Sequence, residues 1–592
     1  MSYLWLCLLL SFPVVAETLE AVEVRATKKS SDFSFGGFQK IETDEIERPS
    51  LPLLTPIIEN VPGVIANQNG GPGGRVSFFM RGTESRHTSF TVDGLRVNDT
   101  SNTDRQFDAA FLTGPFFKDI TVYKGPQAVL FGSDAFGGLI DLQTRKGDSA
   151  PEGRVNLSGG SFGTVSLSIG QDWKVKRNQG SVTALRLRTD GISRLNKKRF
   201  DASEKDGSEI TQVMSSSRHG WDENGKLETD LLASYLRGKT QLDGFTDDNI
   251  HDRSTNDQYT AQQKTTLKLD AKNFVSLRTG FNRHQRYIDT LSAGPDSYGG
   301  NYFQQEGLYD LKLKRVHFLA GGGAEQESFN NYDFDLNSVF AQTLFKVSDH
   351  FDLQGGVRRD HHSRYGEFKT GSAGLAFHLS KHVLSFQYSQ GFKAPSLYQL
   401  YAPPFQGATV GNLNLTPEKN TSLEATWKWT SDTLDGEVAL FQNQLSNLIT
   451  YTNNGYINQD NFTVQGVEAS GKLKLKNFIL APSFTHQKFK YNSTSVLRRP
   501  VNVAGVNLSY FLTENQEVFT RVRSYSARKD SNTSGGVTKL NPYQTVDLGW
   551  KLVRGKLDYG IQILNVLNRE YEELYGFSVM PRAVFGSVGF KY

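Results

Sequence analysis

Cysteine is almost missing from this 592-residue chain, which holds one, Cys7. That residue lies inside the first apolar run, and its flanks Leu6 and Leu8 do not make a lipoprotein cleavage site, so a disulfide framework and a lipid anchor are both excluded. Long apolar stretches are missing as well. After residue 16 no segment approaches the roughly 18 continuous apolar residues of a spanning helix, which leaves a large soluble protein or a β-barrel. An excess of charge of one sign is also lacking: 66 basic residues against 62 acidic give +4, too balanced to imply a polyanionic partner such as nucleic acid. No catalytic constellation stands out either. The glycines of 70–74 are not followed by the Gly-Lys-Ser/Thr of a phosphate loop, and no His-Glu-x-x-His run occurs, so no enzyme is expected.

What is present favours a barrel. Glycine (56), phenylalanine (40) and tyrosine (23) are abundant, while methionine (4) is scarce. The chain is polar on average, as expected when strands give only every second residue to lipid. Residues 1–16 carry an apolar run and end in Val14-Val15-Ala16, small residues suited to cleavage before Glu17; this reads as an export signal.

From about residue 150 onward apolar residues recur with a period of two. Val155 and Leu157 lead into Gly159-Gly160, read as a turn, and Val165, Leu167 and Ile169 run back. Leu267, Leu269 and Ala271, then Val275, Leu277 and Phe281, and later Val546, Leu548, Trp550 and Leu552, repeat the pattern. The opposite face is rich in Lys, Arg, Gln and Asp and suits a wet lumen. Trp427 and Trp429 share a strand face and suit an interfacial aromatic girdle. Polar stretches 194–221, 243–257, 289–305 and 529–537 read as extracellular loops.

Residues 120–146, ITVYKGPQAVLFGSDAFGGLIDLQTRK, read as a strand, a Gly-Pro turn and a glycine-punctuated return strand. This segment closely resembles a signature of the TonB-dependent outer-membrane receptors. Residues 54–64, LTPIIENVPGV, and 76–99, VSFFMRGTESRHTSFTVDGLRVND, are similar to the first helix, the Arg-Gly strand and the Asp-Gly turn of that family's plug. The signature positions are Arg81, Gly82, Asp93, Gly94, Lys124, Gly125, Pro126, Gly132, Gly137 and Gly138. Their glycines permit torsions or close approaches that a β-carbon would block. Lys124 stands where the family commonly has Arg, which keeps the charge but not the bidentate geometry. Further on, 391–419 resembles the family's barrel motif, with Leu413 where Pro is usual, and 565–582, NVLNREYEELYGFSVMPR, looks most like its cobalamin receptors. The terminal alternation Val588, Phe590, Tyr592 resembles an assembly signal that usually ends in Phe.

The resemblance implies an all-β transmembrane barrel with an N-terminal α+β plug in its lumen, in the bacterial outer membrane. The expected division is 1–16 signal, 17–30 TonB box and linker, 31–147 plug and 148–592 barrel. Roughly 440 residues after the signature suit about 22 antiparallel strands, the size whose lumen must be plugged. A passive porin would need no plug. The box is Glu17, Thr18, Leu19, Glu20, Ala21, Val22, Glu23 and Val24, an extended segment similar to the one that pairs with the periplasmic protein TonB by strand addition. The implied activity is uptake of a scarce ligand driven through TonB and its inner-membrane energising complex, with cobalamin or a related corrinoid as ligand and a ferric siderophore as the alternative. Interval 396–412 has no histidine where the family's haem receptors usually carry one, and His87 reads as a structural hydrogen-bonding residue. The amide-rich segments 66–75 and 98–108 are expected to point upward, with Asn67, Gln68, Asn69, Asn98, Asn102 and Arg105 as ligand-contact candidates. No cofactor is required. The acidic loop residues Asp201, Glu204, Asp206, Asp247 and Asp248 are candidates to hold calcium, although their spacing is not that of an EF-hand.

Overall fold

The structure is a computed structural model that describes residues 36–147, 152–243, 248, 251–291, 294–404, 409–452, 455–459, 461–491 and 496–592. The signal and the box therefore lie outside the described residues, as does Asp247.

Period-two alternation folds as it must when one face meets lipid. A closed barrel of 22 antiparallel strands runs from Glu152–Gly160 to Ala583–Lys591, and these first and last strands pair with each other, Phe585 opposite Gly160 and Lys591 opposite Arg154. Leu167, Ile169, Val275, Leu277, Val588 and Phe590 face outward and are exposed to the membrane side. Trp427 and Trp429 lie with ring centroids 4.9 Å apart at the end of Glu418–Trp429, beside the periplasmic turn, where a girdle belongs.

Several strands are longer than the roughly 9–11 residues that cross a bilayer. Asn273–Thr290 and Gly294–Lys312 have 18 and 19 residues, so stretch 289–305 is a hairpin continuing beyond the membrane rather than an irregular loop. Likewise the second half of 194–221 is the strand Ser208–Gly220, and 529–537 lies within a small hairpin of Arg528–Ser531 with Val537–Leu540. Hydrogen bonding to a neighbouring strand carries polar sequence as easily as apolar sequence once lipid no longer selects the outer face. Gly159 and Gly160 end the first strand, the turn being 161–163, and Leu269 and Ala271 sit in the turn after Arg253–Lys268.

The lumen is filled. Phe38–Ile41, Phe117–Lys124, Gly138–Thr144, Thr88–Val92 and Leu95–Arg96 form a mixed sheet in that spatial order, with Thr88–Val92 parallel to Gly138–Thr144. Val64–Gln68 pairs with Val76–Met80 in a separate hairpin, and Thr55–Ile58 is a short helix with Pro56 in its first turn. The wet-lumen expectation is corrected on one side. Leu185, Leu187, Ile210, Met214 and Leu232 point inward and join Leu54, Ile58, Phe111 and Phe116 of the plug in one apolar cluster. A lumen strand facing a packed domain has the same reason to be apolar as any core strand.

Candidate functional site

Arg81 ends the strand Val76–Met80 with φ of 46°, and this left-handed turn through Gly82 aims its side chain at the barrel wall. The guanidinium is wholly buried. It donates to both oxygens of Glu424 at 2.9 and 2.8 Å and to both of Glu468 at 3.0 and 3.2 Å, and it lies 4.8 Å from the Phe441 ring centroid. Burial alone would lower its pKa, but Glu424 and Glu468 outweigh that and raise it. Lys124 completes the charge balance from the sheet, 2.7 Å from Glu468 and 3.5 Å from Glu437. Its point charge reaches one oxygen of each, the single-contact geometry that distinguishes it from Arg. Gly63 permits this seat, because a β-carbon there would stand 1.9 Å from Glu468 Oε1 at a φ of +82°.

Two more ionic groups flank this seat. Glu418 accepts from Arg86 at 2.8 Å and lies 3.0 Å from His87 Nε2. The Glu84 N–H donates to His87 Nδ1 at 3.1 Å, which leaves the proton on Nε2, and burial lowers the pKa of this ring. His87 thus makes structural hydrogen bonds in this structure. Asp134 meets Arg96 at 2.6 Å, Lys393 at 3.0 Å and Arg105 at 3.3 Å. Burial would raise it, but Arg105, Lys393 and Arg96 together hold it far below the carboxylate range.

The remaining signature residues shape the plug. Gly125 and Pro126 follow Phe117–Lys124, Gly132 ends the helix Ala128–Phe131, and Gly137 and Gly138 open the return strand. A β-carbon at Gly138 would lie 1.9 Å from the Met80 sulfur, so sheet and hairpin touch through that position. Asp93 precedes Gly94 in the tight turn and accepts from the Thr144 N–H at 3.0 Å and its hydroxyl at 2.7 Å.

Asp141, on Gly138–Thr144, accepts from the Thr91 hydroxyl at 2.6 Å, yet burial, helped by the Asp93 charge, pushes its pKa from 3.8 up to about 6. An acid whose folded pKa exceeds its unfolded value binds its proton better when folded. Its stabilisation is full below the unfolded value and is lost as pH rises through about 6. Plug unfolding followed by hydrogen exchange should therefore show stability declining by about 2–3 kcal/mol between roughly pH 4 and 7, and Asp141→Asn should flatten that slope.

The ligand-contact candidates divide. Asn98 is consumed locally: its Oδ1 accepts from the Phe90 N–H at 2.9 Å, and its amide donates to the Arg105 carbonyl at 3.0 Å. Asn102 donates to the Gln106 carbonyl at 3.2 Å, and Arg105 is buried on Glu327 at 3.0 Å and on the Ala394 carbonyl. Asn67 spans to the wall, donating to the Arg498 carbonyl at 3.0 Å and accepting from Arg528 at 2.8 Å. Gln68 and Asn69 are part-exposed in the hairpin, and their side chains are the least committed of the six. Within 66–75, the Asn69 N–H returns to the Arg75 carbonyl at 3.0 Å, closing the hairpin tip.

Among the acidic candidates, Asp206 and Asp248 converge with Asp243, which the sequence reading had not singled out, and one oxygen of each lies within 4.8 Å of the others. Asp201 and Glu204 are exposed and do not join them, although the Glu204 N–H donates to Asp248 at 2.8 Å. Asp206 is buried and its pKa is raised by that burial, with the Asp248 charge adding to it. Asp248 Oδ1 is buried and finds no hydrogen-bond partner among the described residues. A buried carboxylate, a converging neighbour and an unpartnered oxygen fit a hard divalent cation. Asp243 was missed because it stands alone at the end of a strand-and-loop stretch, and only the fold brings it to Asp206.

A closed barrel whose lumen is filled by an ionically seated domain is a plugged outer-membrane transporter, a channel shut at rest. The family described as TonB-dependent Receptor Plug Domain matches residues 34–139, and TonB dependent receptor-like, beta-barrel, matches 148–568. This chain belongs to the TonB-dependent receptor family of the bacterial outer membrane, whose members take up small ligands using energy coupled through TonB. It is similar to a vitamin B12 transporter, BtuB, of Photobacterium profundum, with 24% identity over 93% of this chain and 92% of that one. In fold it is similar to the siderophore receptor PirA of Acinetobacter baumannii, with TM-score 0.83, 15% identity, and 96% of this chain and 100% of that one covered. The ferric enterobactin receptor PfeA of Pseudomonas aeruginosa gives 0.80 at 16% identity, with 96% and 100% covered.

Proposed function

We propose that this receptor imports cobalamin or a closely related corrinoid. The observation that carries the reading is the full-length similarity to a vitamin B12 transporter, spanning plug and barrel alike. The resemblance of 565–582 to cobalamin receptors and the histidine-free interval 396–412 agree with it. Ligand contacts belong to the extracellular loops and to the part-exposed side chains of Gln68, whose amide also donates to the Gly71 carbonyl at 2.9 Å, and Asn69. Asp206, Asp243 and Asp248 would hold a calcium ion, tying Asp206 to Asp243 and Asp248 near the mouth through which a large ligand enters. Glu17 to Val24 is the segment that pairs with TonB, and no catalytic step is involved.

Cyanocobalamin binding to the purified, detergent-solubilised receptor, measured with and without calcium, tests this reading. Tight saturable binding is expected, weakened by chelation of calcium. The Asp206→Asn substitution should reproduce the chelated affinity in the presence of calcium. Absence of binding in both conditions overturns the corrinoid assignment.

One cluster favours a ferric siderophore as the second reading. Tyr332 and Tyr401 stack with centroids 3.9 Å apart at the extracellular end, with Arg364 5.9 Å from the Tyr401 ring, a surface suited to an anionic aromatic chelate. Tight binding of ferric enterobactin, with none of cyanocobalamin, would establish it.

A further inference from the structure

The plug's perimeter is not sealed evenly. Toward strands Asn178–Thr189, Ser208–Gly220 and Leu227–Gln241 it is closed by the apolar cluster, and toward Glu418–Trp429 and Phe462–Leu475 by the Arg81 seat. Toward Gln516–Tyr525 it is closed by neither. There a cleft of about 540 Å³ extends inward from the periplasmic turn at Glu514 and Asn515, between the plug residues Arg48 and Asn60 and the wall. A second, smaller cleft, of about 150 Å³, extends from the extracellular side, where Gln68, Pro72, Glu573 and Met580 line it, down to Glu59. Arg521 lines both.

The wall of this seam is one strand face. Glu517, Phe519, Arg521, Arg523 and Tyr525 alternate inward, a column spanning about 26 Å at strand rise. Its upper part is aromatic: Tyr525, Tyr543 and Tyr571 stack with centroid spacings of 4.7 and 3.9 Å. What separates the two clefts is a small set of polar contacts from the end of the plug helix. Glu59 takes the Arg523 guanidinium on one oxygen and the Tyr525 hydroxyl on the other at 2.6 Å. Asn60 accepts from Arg523 at 2.8 Å, and the Pro56 carbonyl accepts from Arg521 at 3.1 Å. Apolar packing resists partial separation, whereas polar contacts can be exchanged for water as they part, and a cleft on either side of these lets water reach them.

We propose that the plug opens along this seam, so that water and imported ligand pass between plug residues 55–60 and the wall strand Gln516–Tyr525, with Glu59 as the latch. The inference rests on the transporter class and not on the identity of the ligand. A stacked tyrosine face edged by guanidinium groups offers a bulky ligand successive weak contacts.

Potassium chloride conductance of the purified full chain in planar lipid bilayers tests this without any ligand. The native protein should stay closed. Glu59→Gln should raise the time-averaged current about tenfold, the change in open population given by loss of one charge-assisted hydrogen bond. Adding Arg521→Trp, which fills the point common to both clefts, should return the current to the native level. Adding Ser234→Trp, which fills a cavity on the opposite wall, should leave the raised current unchanged. Gel mobility of unheated samples checks that each barrel is folded. If Glu59→Gln does not fold, Tyr525→Phe, which deletes a single hydroxyl from the latch, replaces it with a smaller rise expected. Current no higher than native in the folded latch variant, or equal block by tryptophan at 234 and at 521, overturns the proposal.

Discussion

Replacing Arg81 by Met should loosen the plug by about 3–5 kcal/mol, the cost of stranding buried charges whose partner has been removed. The side chain has no exposed surface, and its four donor contacts satisfy Glu424 and Glu468, which sit on two strands of the wall. Without it only Lys124 remains to face both carboxylates, and it reaches Glu468 but is not hydrogen-bonded to Glu424. The Gly37 N–H, which donates to Glu424 at 2.7 Å, would lose an oriented acceptor too. Hydrogen exchange of the plug amides, with the barrel amides as internal reference, measures the effect: protection at 63–82 and 36–41 should fall by about two to nearly four orders of magnitude, what that energy implies. Arg81→Lys should fall between, since it keeps charge but not the forked contacts. Unchanged plug protection in the Met variant would show that the seat contributes little to holding the plug.

Deleting Glu17 to Val24 should abolish energy-dependent uptake while leaving surface binding intact. The outer membrane has neither ATP nor an ion gradient of its own, so accumulation requires a mechanical link to the inner membrane. In the proposed reading, Glu17 to Val24 is the element that strand addition would grip. On that reading ligand occupancy and the availability of the segment to TonB would be coupled reciprocally, as any two linked equilibria must be. Radiolabelled ligand uptake by cells, compared with ligand binding to the same cells after de-energising, separates the two steps. Uptake should drop to the level of cells lacking the receptor. Uptake at the native rate would remove this segment from the mechanism.

Strand alternation made the barrel legible from sequence because lipid imposes a one-sided rule on every crossing. The plug was legible through its glycines, which mark close approaches such as Gly138 against Met80. Strand ends were not, as 289–305 shows: beyond the bilayer, pairing alone keeps a strand, and pairing leaves no compositional trace. At the site, Arg81 and Lys124 stood out, whereas Glu424 did not, since one inward carboxylate on an amphipathic strand looks like any lumen residue until the plug is placed against it. Asp243 escaped because its partner Asp206 lies in another part of the sequence and only the fold brings them together. Asn98 and Arg105 are amide and guanidinium groups that sequence cannot divide between ligand and scaffold, and in this structure their hydrogen bonds go to the scaffold.

The pairing of Ala583–Lys591 with Glu152–Gly160 sets an order of assembly. The cylinder cannot close until the nine-residue strand Ala583–Lys591 is in place, and a domain with charged side chains anchored in the wall cannot slip past a finished ring. The plug must therefore be in place before the ring closes around it. Truncating the last strand would therefore release two unsatisfied edges and an unhoused plug together, turning a local deletion into a failure of the whole biogenesis.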